Sequence, residues 1–284
     1  MSINPSTGRP WLTPEEAAVV TVVFDDDREE PMDHLWTIAT GNKPIRMSSL
    51  EPGACIGNVI IPLAGSSSPF WTALLEDVYH ETCRTQTLLN AWVRRVFDFL
   101  DVTPRSAKEI HAHPTIIIVQ RGHNRKFINL PSWVDTLQTR YPKSNITVID
   151  FAKISFQDQL RVLQTTDVYV GHHGAAMAHS IFLPPESAVV EILPPVFPMR
   201  GFRSLARMRG LSHFGANCMW PEEWNKTVNG VPLPAGWMAP KDPVNWQTAE
   251  WTYMTDEEFV GIVDAAVRNQ LNKKFQFSVC APDC

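Results

Sequence analysis

The chain has 284 residues, of which 44% are hydrophobic and 19% are charged, and its net charge is -5. This composition excludes an intrinsically disordered protein and supplies enough apolar residues for a substantial core. The acidic balance gives no sign of bulk binding to nucleic acid or anionic membranes, so an anionic ligand would need a local site. No secretory signal opens the chain, and no apolar run approaches the roughly 18 residues of a membrane helix. We therefore expect a soluble protein or a fragment that has lost its N-terminal anchor.

The first third of the chain is predicted to form a short α/β region. The segment AAVVTVVF (17–24) is typical of a buried strand, because it is short, apolar and rich in valine. The segment CIGNVIIPLAG (55–65) predicts a second strand followed by a loop. Apolar residues recur at helical spacing near the end of the region 70–100, which predicts a helix there. A polar, proline-containing linker follows, so we place one domain at 1–105 and a second at 106–284.

The second domain shows a regular alternation of strands and helices. Strands are predicted at 115–120, 146–151, 167–171 and 188–193, and helices at 131–142, 155–166, 175–183 and 256–271. Such alternation with short loops predicts a parallel sheet with helices on both faces. Right-handed crossovers then place the C-terminal ends of the strands on one edge, where ligands bind. Ser155 is the expected cap of its helix, and the Pro- and Trp-rich region 196–251 is predicted to be irregular.

The junction DVYVGHHGAA, where a strand hands over to a helix, is the first candidate site. A helix N-terminus presents unpaired backbone N–H groups and a partial positive charge. Gly174, Ala175 and Ala176 have little or no side chain, so a diphosphate could approach the backbone closely. His173 could bond a phosphate or a sugar hydroxyl. The alternative is that the small residues only let the helix pack closely on the sheet.

The segment VQRGHNRKFINL (119–130) is the second candidate site, because it follows a predicted strand. Arg121 and Arg125 would lie on the ligand edge, and a guanidinium group suits phosphate oxygens. Taken alone, the segment is better explained as a solvated loop that happens to be basic. The shared edge of the two candidate sites favours a nucleotide diphosphate. Glu191, at the end of a later strand, could bond ribose hydroxyls or lie on the surface.

The sequence does not favour a metal site or a cofactor. Asp25 and Asp27 follow a hydrophobic segment in an Asp-x-Asp arrangement that could bind manganese, but a solvated acidic turn is the favoured interpretation. A metal site formed by His172, His173 and His179 is not favoured, because adjacent histidines diverge and no carboxylate or cysteine completes the set. The chain also lacks a nucleophile elbow, a Walker A sequence and a dinucleotide glycine motif.

The string GHHGAAMAHSIFLPPESAVVEILP (171–194) resembles the signature Gly-x-His-Gly-Ala-Gly-Leu-Thr…Phe-Leu-Pro…Val-Val-Glu of glycosyltransferase family 61. The segment with Arg121, Arg125 and Asn129 is similar to the family's Arg-x-x-x-Arg-x-(Ile/Leu)-(Leu/Ile)-Asn motif. The stretch between the two segments also fits the family in order and spacing. Ala176 stands where the family usually has glycine, and the N-terminal half is short for a complete acceptor domain.

The resemblance implies two Rossmann-like domains of the GT-B type, with the donor nucleotide on the C-terminal domain and a short N-terminal acceptor domain. It also implies inverting transfer of GlcNAc, xylose or arabinose from a UDP-sugar to a protein-linked glycan, a protein hydroxyl or a polysaccharide. An essential metal is not expected, and the family's usual compartment is the lumen of the ER or Golgi. The donor-binding residues that it implies are Arg121, Arg125, Asn129, His173, Gly174, Ala175, Ala176, His179 and Glu191.

The general base would come from the N-terminal half, where Asp25, Asp27 and His34 are candidates. Two alternatives stay open. The short N-terminal half is compatible with a catalytically inactive, glycosyltransferase-like binding or scaffold protein. A nucleotide-binding enzyme that does not act on sugars could use the same α/β scaffold.

Overall fold

The computed structural model describes residues 6–30, 33–57, 59–61, 86–106, 111–195, 201–219, 227–228, 231–232 and 251–273. The chain divides into two compact units. The first comprises Met1–Ala64 and Arg94–Asp101, and the second comprises Gly65–Val93 and Val102–Cys284. The domain boundary that the sequence suggests near residue 105 stays a prediction.

The first unit contains a minimal parallel β-α-β arrangement. Its elements are α1 (Pro14–Ala18), β1 (Val23–Phe24), α2 (His34–Thr40), β2 (Ile45–Arg46) and a 3₁₀ turn at Met47–Ser49, and β1 pairs with β2 in parallel. The predicted strand at 17–24 is wrong over most of its length. Thr13 and Glu16 form a capping box that starts α1, so the first apolar residues of that segment belong to a helix.

The region between β2 and the linker is only partly described. Residues 51–57 and 59–61 form no strand, whereas a strand was predicted at 55–65. The predicted helix at 70–100 is present as α3 (Thr87–Leu100), and its earlier part lies outside the described residues. No helix in the described part of the chain combines the length and the apolar character that crossing a membrane requires.

The second unit is built on a five-stranded, fully parallel sheet. The described strands of the whole second unit are β3 (Ile116–Val119), β4 (Lys126–Phe127), β5 (Ile146–Ile149), β6 (Val168–His172), β7 (Ala188–Leu193), β8 (Ser212–Asn217), β9 (Thr227–Val228), β10 (Val231–Pro232) and β11 (Trp251–Thr252). The large sheet has the order β5-β3-β6-β7-β8, while β4 pairs with β11 and β9 with β10. The parallel α/β fold is therefore confirmed, and this sheet is Rossmann-like.

Helices cover both faces of this sheet, as predicted. They are α4 (Leu130–Arg140), α5 (Phe156–Gln164), α6 (Gly201–Met208), α7 (Asp256–Leu271) and 3₁₀ helices at Phe151–Lys153 and Ala175–Phe182. On one face, α4 and α7 enclose an apolar core in which the ring of Trp133 stacks on Phe259 at 4.0 Å. On the other face, Tyr169 of β6 stacks on Phe151 and donates to the carbonyl oxygen of Ala176 at 2.6 Å.

Two predictions for this unit need correction. The region 196–251 was expected to be irregular, but it contains α6 and the edge strand β8. The helix predicted at 175–183 is a 3₁₀ helix, in which the N–H of Met177 bonds the carbonyl of Gly174 three residues earlier. Ser155 caps α5 as predicted, because its side chain accepts the N–H of Asp158.

Candidate functional site

The predicted ligand edge is formed by the carboxyl ends of β3, β6 and β7. Strand register places Val119 beside Gly171 and Gly171 beside Glu191, so the segments that follow these strands are neighbours. The hydrogen bonding between β6 and β7 extends one residue past the end of β6, because the N–H of His173 donates to the carbonyl oxygen of Ile192 at 2.8 Å. The chain then turns at once into the 3₁₀ helix. This register brings both candidate segments of the sequence to one place.

Gly174 is the point on which the two arginines converge. Its φ of 145° and ψ of -168° lie in a region that is essentially restricted to glycine. A Cβ atom added there would lie 2.5 Å from Nη1 of Arg125 and 3.1 Å from Nη1 of Arg121. The absence of a side chain therefore lets two guanidinium groups lie against the backbone at the start of the 3₁₀ helix.

The loop that carries the arginines is held in shape by its own sequence. The side-chain amide of Gln120 accepts the N–H of Phe127 at 3.0 Å and donates to its carbonyl at 3.3 Å, which closes the loop. Arg125 has a left-handed backbone, with a φ of 55°. Its Nη1 donates to the carbonyl oxygen of His173 at 2.7 Å. The conformation of the loop therefore fixes Arg125 against the end of β6.

The electrostatics of this edge are those of a cationic site. Burial, and then the charge of Arg121, lowers the pKa of Arg125 to about 10. Burial also lowers the pKa of Arg121, although the charge of Asp150 opposes this. His172 bonds the carbonyl oxygen of His173 at 2.9 Å, and burial together with the nearby arginines lowers its pKa to about 3. The His172 ring is therefore neutral, and an approaching anion meets the two guanidinium groups.

Glu191 lies behind this edge and bonds two histidines. Its oxygens lie 2.5 Å from Nδ1 of His173 and 2.8 Å from Nε2 of His213. Burial raises the pKa of Glu191, but the hydrogen bonds from the two imidazoles outweigh this effect and hold the pKa below its usual value. The residue is 1% exposed, and its contact with ribose hydroxyls stays a prediction.

Two predicted donor-binding residues, His179 and Asn129, have surroundings different from those of the arginines. His179 bonds Oε1 of Gln159 through Nε2 at 2.6 Å, and its ring lies 5.0 Å from that of Phe151. These contacts join the 3₁₀ helix to α5. Asn129 immediately precedes α4 and is 4% exposed, and among the described residues its Oδ1 has no hydrogen-bond partner. Ala175 is exposed and Ala176 is partly buried beside the convergence point.

The candidates for the general base belong to the first unit. Asp25, Asp27 and His34 are all exposed, and Asp27 accepts a hydrogen bond from Ser48. Their assignment stays a prediction. In the described ranges, no group of three or more His, Cys, Asp or Glu side chains is arranged to hold a metal ion.

Sequence reasoning missed two residues near His173. His213 lies on β8, a strand that was not predicted, and bonds Glu191, which also bonds His173. Phe202 of α6 places its ring 5.1 Å from that of His173. The weak alternation around Phe214 and Ala216 was the only sequence signal for β8.

The family model described as Glycosyltransferase 61 matches residues 42–190, slightly more than half of the chain. The EGF domain-specific O-linked N-acetylglucosamine transferase of Mus musculus is 31% identical over 133 residues, which cover 46% of this chain and 25% of the mouse protein. The protein of the same name from Xenopus laevis is 32% identical over 133 residues, with the same coverage of 46% and 25%.

A plant protein shows a shorter match. The Beta-1,2-xylosyltransferase of Arabidopsis thaliana is 32% identical over 89 residues, which cover 31% of this chain and 17% of the plant protein. The chain thus spans about a quarter of the length of the animal relatives it matches.

Proposed function

Because the chain belongs to glycosyltransferase family 61, we propose that it transfers a sugar from a UDP-sugar to a protein-linked glycan, a protein hydroxyl or a polysaccharide. The names of the relatives specify N-acetylglucosamine and xylose as transferred sugars, and arabinose is a third candidate. The observation that carries the proposal is the convergence of Arg121 and Arg125 on Gly174, at the carboxyl edge of a parallel sheet.

This edge suits the diphosphate of the donor for two reasons. The guanidinium groups supply charged donors for phosphate oxygens, and the absence of a side chain at Gly174 lets both groups lie together at the start of the 3₁₀ helix. Arg125 is also preorganised, because its bond to the carbonyl oxygen of His173 holds it before a ligand arrives. Preorganised donors stabilise charge that develops during a reaction more effectively than mobile ones do.

We infer a single displacement with inversion at the anomeric carbon. The oxygen of an acceptor hydroxyl attacks that carbon and forms the new glycosidic bond, while the bond from the carbon to the β-phosphate oxygen breaks. UDP leaves with the bonding electron pair, and the hydroxyl proton passes to a base. Asp25, Asp27 and His34 remain the candidates for this base. Arg121 and Arg125 would stabilise the negative charge that appears on the diphosphate, so the proposal requires no metal.

The same proposal extends to architecture and compartment. The parallel sheet of the second unit would be the donor-binding domain of a two-domain, GT-B type enzyme, with the N-terminal unit contributing to acceptor binding. Family membership favours the lumen of the ER or Golgi as its place of action. Its partners would be a nucleotide-sugar donor and a glycan or glycoprotein acceptor.

Calorimetric titration of the purified chain with UDP, with and without manganese, tests the donor site. We expect binding that does not depend on manganese and that weakens at least about tenfold in Arg121→Gln, because a hydrogen bond to a charged group is worth about 1.5–3 kcal/mol. Arg161→Gln is the matched control, since Arg161 is an exposed arginine that pairs with Asp158 on α5.

Folded wild-type protein that does not bind UDP would contradict the proposal, as would an Arg121→Gln variant with full affinity. Protein that binds UDP is then incubated with UDP-GlcNAc, UDP-xylose or UDP-arabinose and glycan acceptors. UDP release with formation of an inverted product would establish transfer, whereas binding without release or transfer would leave an inactive binding protein.

A further inference from the structure

His213 reaches Glu191 across two neighbouring strands. The register of β7 and β8 pairs Val189 with His213 and Glu191 with Gly215, so His213 and Glu191 are diagonal neighbours on one face of the sheet. Gly215 makes this diagonal contact possible, because a Cβ atom there would lie 3.3 Å from Cε1 of His213. The imidazole therefore occupies the space that a side chain at Gly215 would need.

The chemistry of the cluster determines which groups donate. An ionised carboxylate can only accept hydrogen bonds, so Nδ1 of His173 and Nε2 of His213 must both be donors to Glu191. The proton on Nδ1 of His173 is thereby assigned by its partner. The three side chains are 12%, 2% and 10% exposed for His173, Glu191 and His213, so water gives them little alternative bonding.

The ring of His173 is restrained on several sides. Glu191 holds Nδ1, and the ring of Phe202 lies 5.1 Å away. The backbone of His173 is also fixed, because its carbonyl oxygen accepts hydrogen bonds from Arg125 and His172. The carbonyl oxygen of His173 therefore has a defined position, at which it holds Nη1 of Arg125.

We propose that His213 is a positioning residue of the donor site: it fixes the carboxylate of Glu191, which in turn fixes His173, whose carbonyl oxygen holds Arg125 for the diphosphate. This inference rests on the proposed function, since it takes the diphosphate of a UDP-sugar as the ligand. His213 on β8 would therefore control donor affinity only through His173.

The alternative role of His213 is simple packing, and three variants separate the two. His213→Gln keeps an N–H donor near the position of Nε2, whereas His213→Leu keeps bulk and loses the donor. Gly215→Ala changes no titratable residue, but its added Cβ atom displaces the imidazole of His213. A positioning role predicts that Gln restores donor affinity and that Leu and Ala reduce it. His113→Leu is the matched control, because His113 is exposed and follows the linker.

The experiment is a double-mutant cycle on UDP affinity, measured by calorimetry on the whole chain. We expect His213→Leu to weaken UDP binding about 10- to 100-fold, the range for the loss of one hydrogen bond to a charged group. In a His173→Leu background the same change should have no further effect, because its route of action has gone. Losses that multiply independently would overturn the proposal, as would a Gln variant as weak as the Leu variant.

A second readout works without UDP. Long-range 1H–15N spectra of the imidazole rings should show the proton of His173 on Nδ1 in the wild type and in His113→Leu, and a changed tautomer population in His213→Leu and Gly215→Ala. An unchanged His173 signal in both variants would overturn the inference by itself. Wild-type protein that shows this signal but binds no UDP would contradict the donor site and leave the link from His213 to His173 standing.

Discussion

The two edges of the parallel sheet use the same residue types in opposite ways. At the amino edge, Arg105 and His111 surround the carboxylate of Asp167, each at 2.9 Å. At the carboxyl edge, Arg125 and His172 surround a neutral group, the carbonyl oxygen of His173, at 2.7 and 2.9 Å. One cluster contains its own anion at the centre, and the other does not.

The difference separates a structural cluster from a binding site. The buried ion pair of Arg105 and Asp167 ties the linker to the start of β6, and its charges compensate each other. At the other edge, the charge of Arg121 adds to burial in lowering the pKa of Arg125. A bound anion would relieve that repulsion. The comparison therefore predicts opposite responses to the same substitutions at the two edges.

The largest effect is expected at the amino edge. Arg105→Gln removes the cation beside a buried carboxylate, and breaking a buried pair in this way costs about 3–5 kcal/mol. We expect the free energy of unfolding, measured by urea denaturation, to fall by about this amount. Arg161→Gln, which breaks an exposed pair with Asp158, should leave the urea midpoint unchanged. A loss for Arg105→Gln below about 1 kcal/mol would show that the amino cluster is not a structural requirement.

Gly174→Ala should have the next largest effect. The backbone there is essentially restricted to glycine and the added Cβ would contact Arg125, so we expect a loss of about 1–3 kcal/mol in urea denaturation. Gly261→Ala is the matched control, because Gly261 lies exposed on α7 and no neighbouring atom of the described residues comes within 4 Å of an added Cβ. In a helix, that change should stabilise the protein by about 0.5–1 kcal/mol. Shifts of the same sign in both variants would argue against strain at Gly174.

The pH dependence of stability tests the neutral histidine of the carboxyl edge. The pKa of His172 falls from 6.5 to about 3 on folding, so the unfolded chain binds the proton first. The free energy of unfolding should therefore fall as the pH drops from about 6.5 towards 3, with a slope of at most about 1.4 kcal/mol per pH unit from this group. His172→Asn keeps a donor for the carbonyl oxygen of His173 and removes the titration. Urea midpoints between pH 7 and pH 5 that decline equally in both proteins would refute a neutral His172.

The smallest effect on stability is expected for Arg121→Gln. Removing one of two neighbouring cations should leave the unliganded protein as stable as before, or more stable by a few tenths of a kcal/mol. The contrast with Arg105→Gln is the sharpest form of the comparison, because the same substitution is made at each edge. Thermal unfolding of both variants without UDP measures this difference in stability. A clear loss of stability in Arg121→Gln would mean that the carboxyl edge is also a structural cluster.

The sheet could largely be predicted from sequence, because buried parallel strands are short continuous apolar runs. Ile116–Val119 and Ala188–Leu193 are such runs, and both were found. The edge strand β8 was missed, because an exposed edge strand with His213 and Gly215 lacks that signal. The strand prediction at 17–24 was wrong for a different reason. It followed the apolar run and overlooked the capping box of Thr13, which starts a helix.

The candidate site could likewise be predicted only in part. The meeting of Arg121, Arg125 and Gly174 could be predicted, since the ends of parallel strands share an edge. The surroundings of Glu191 could not, because its second partner depends on the register between β7 and an unpredicted strand. Register is set by turns and by packing between distant segments, and local residue patterns do not contain it.

A ribosome makes most of this sheet well before it makes the helix that covers it. Four of the five strands are complete at Leu193, whereas Phe259, Val263 and Val267 of α7 fill the core against them. At about 5–20 residues per second, the roughly 80 intervening residues take several seconds to synthesise. During that interval α4 is already present, but the apolar face of the nascent sheet lacks the part of its cover that α7 supplies.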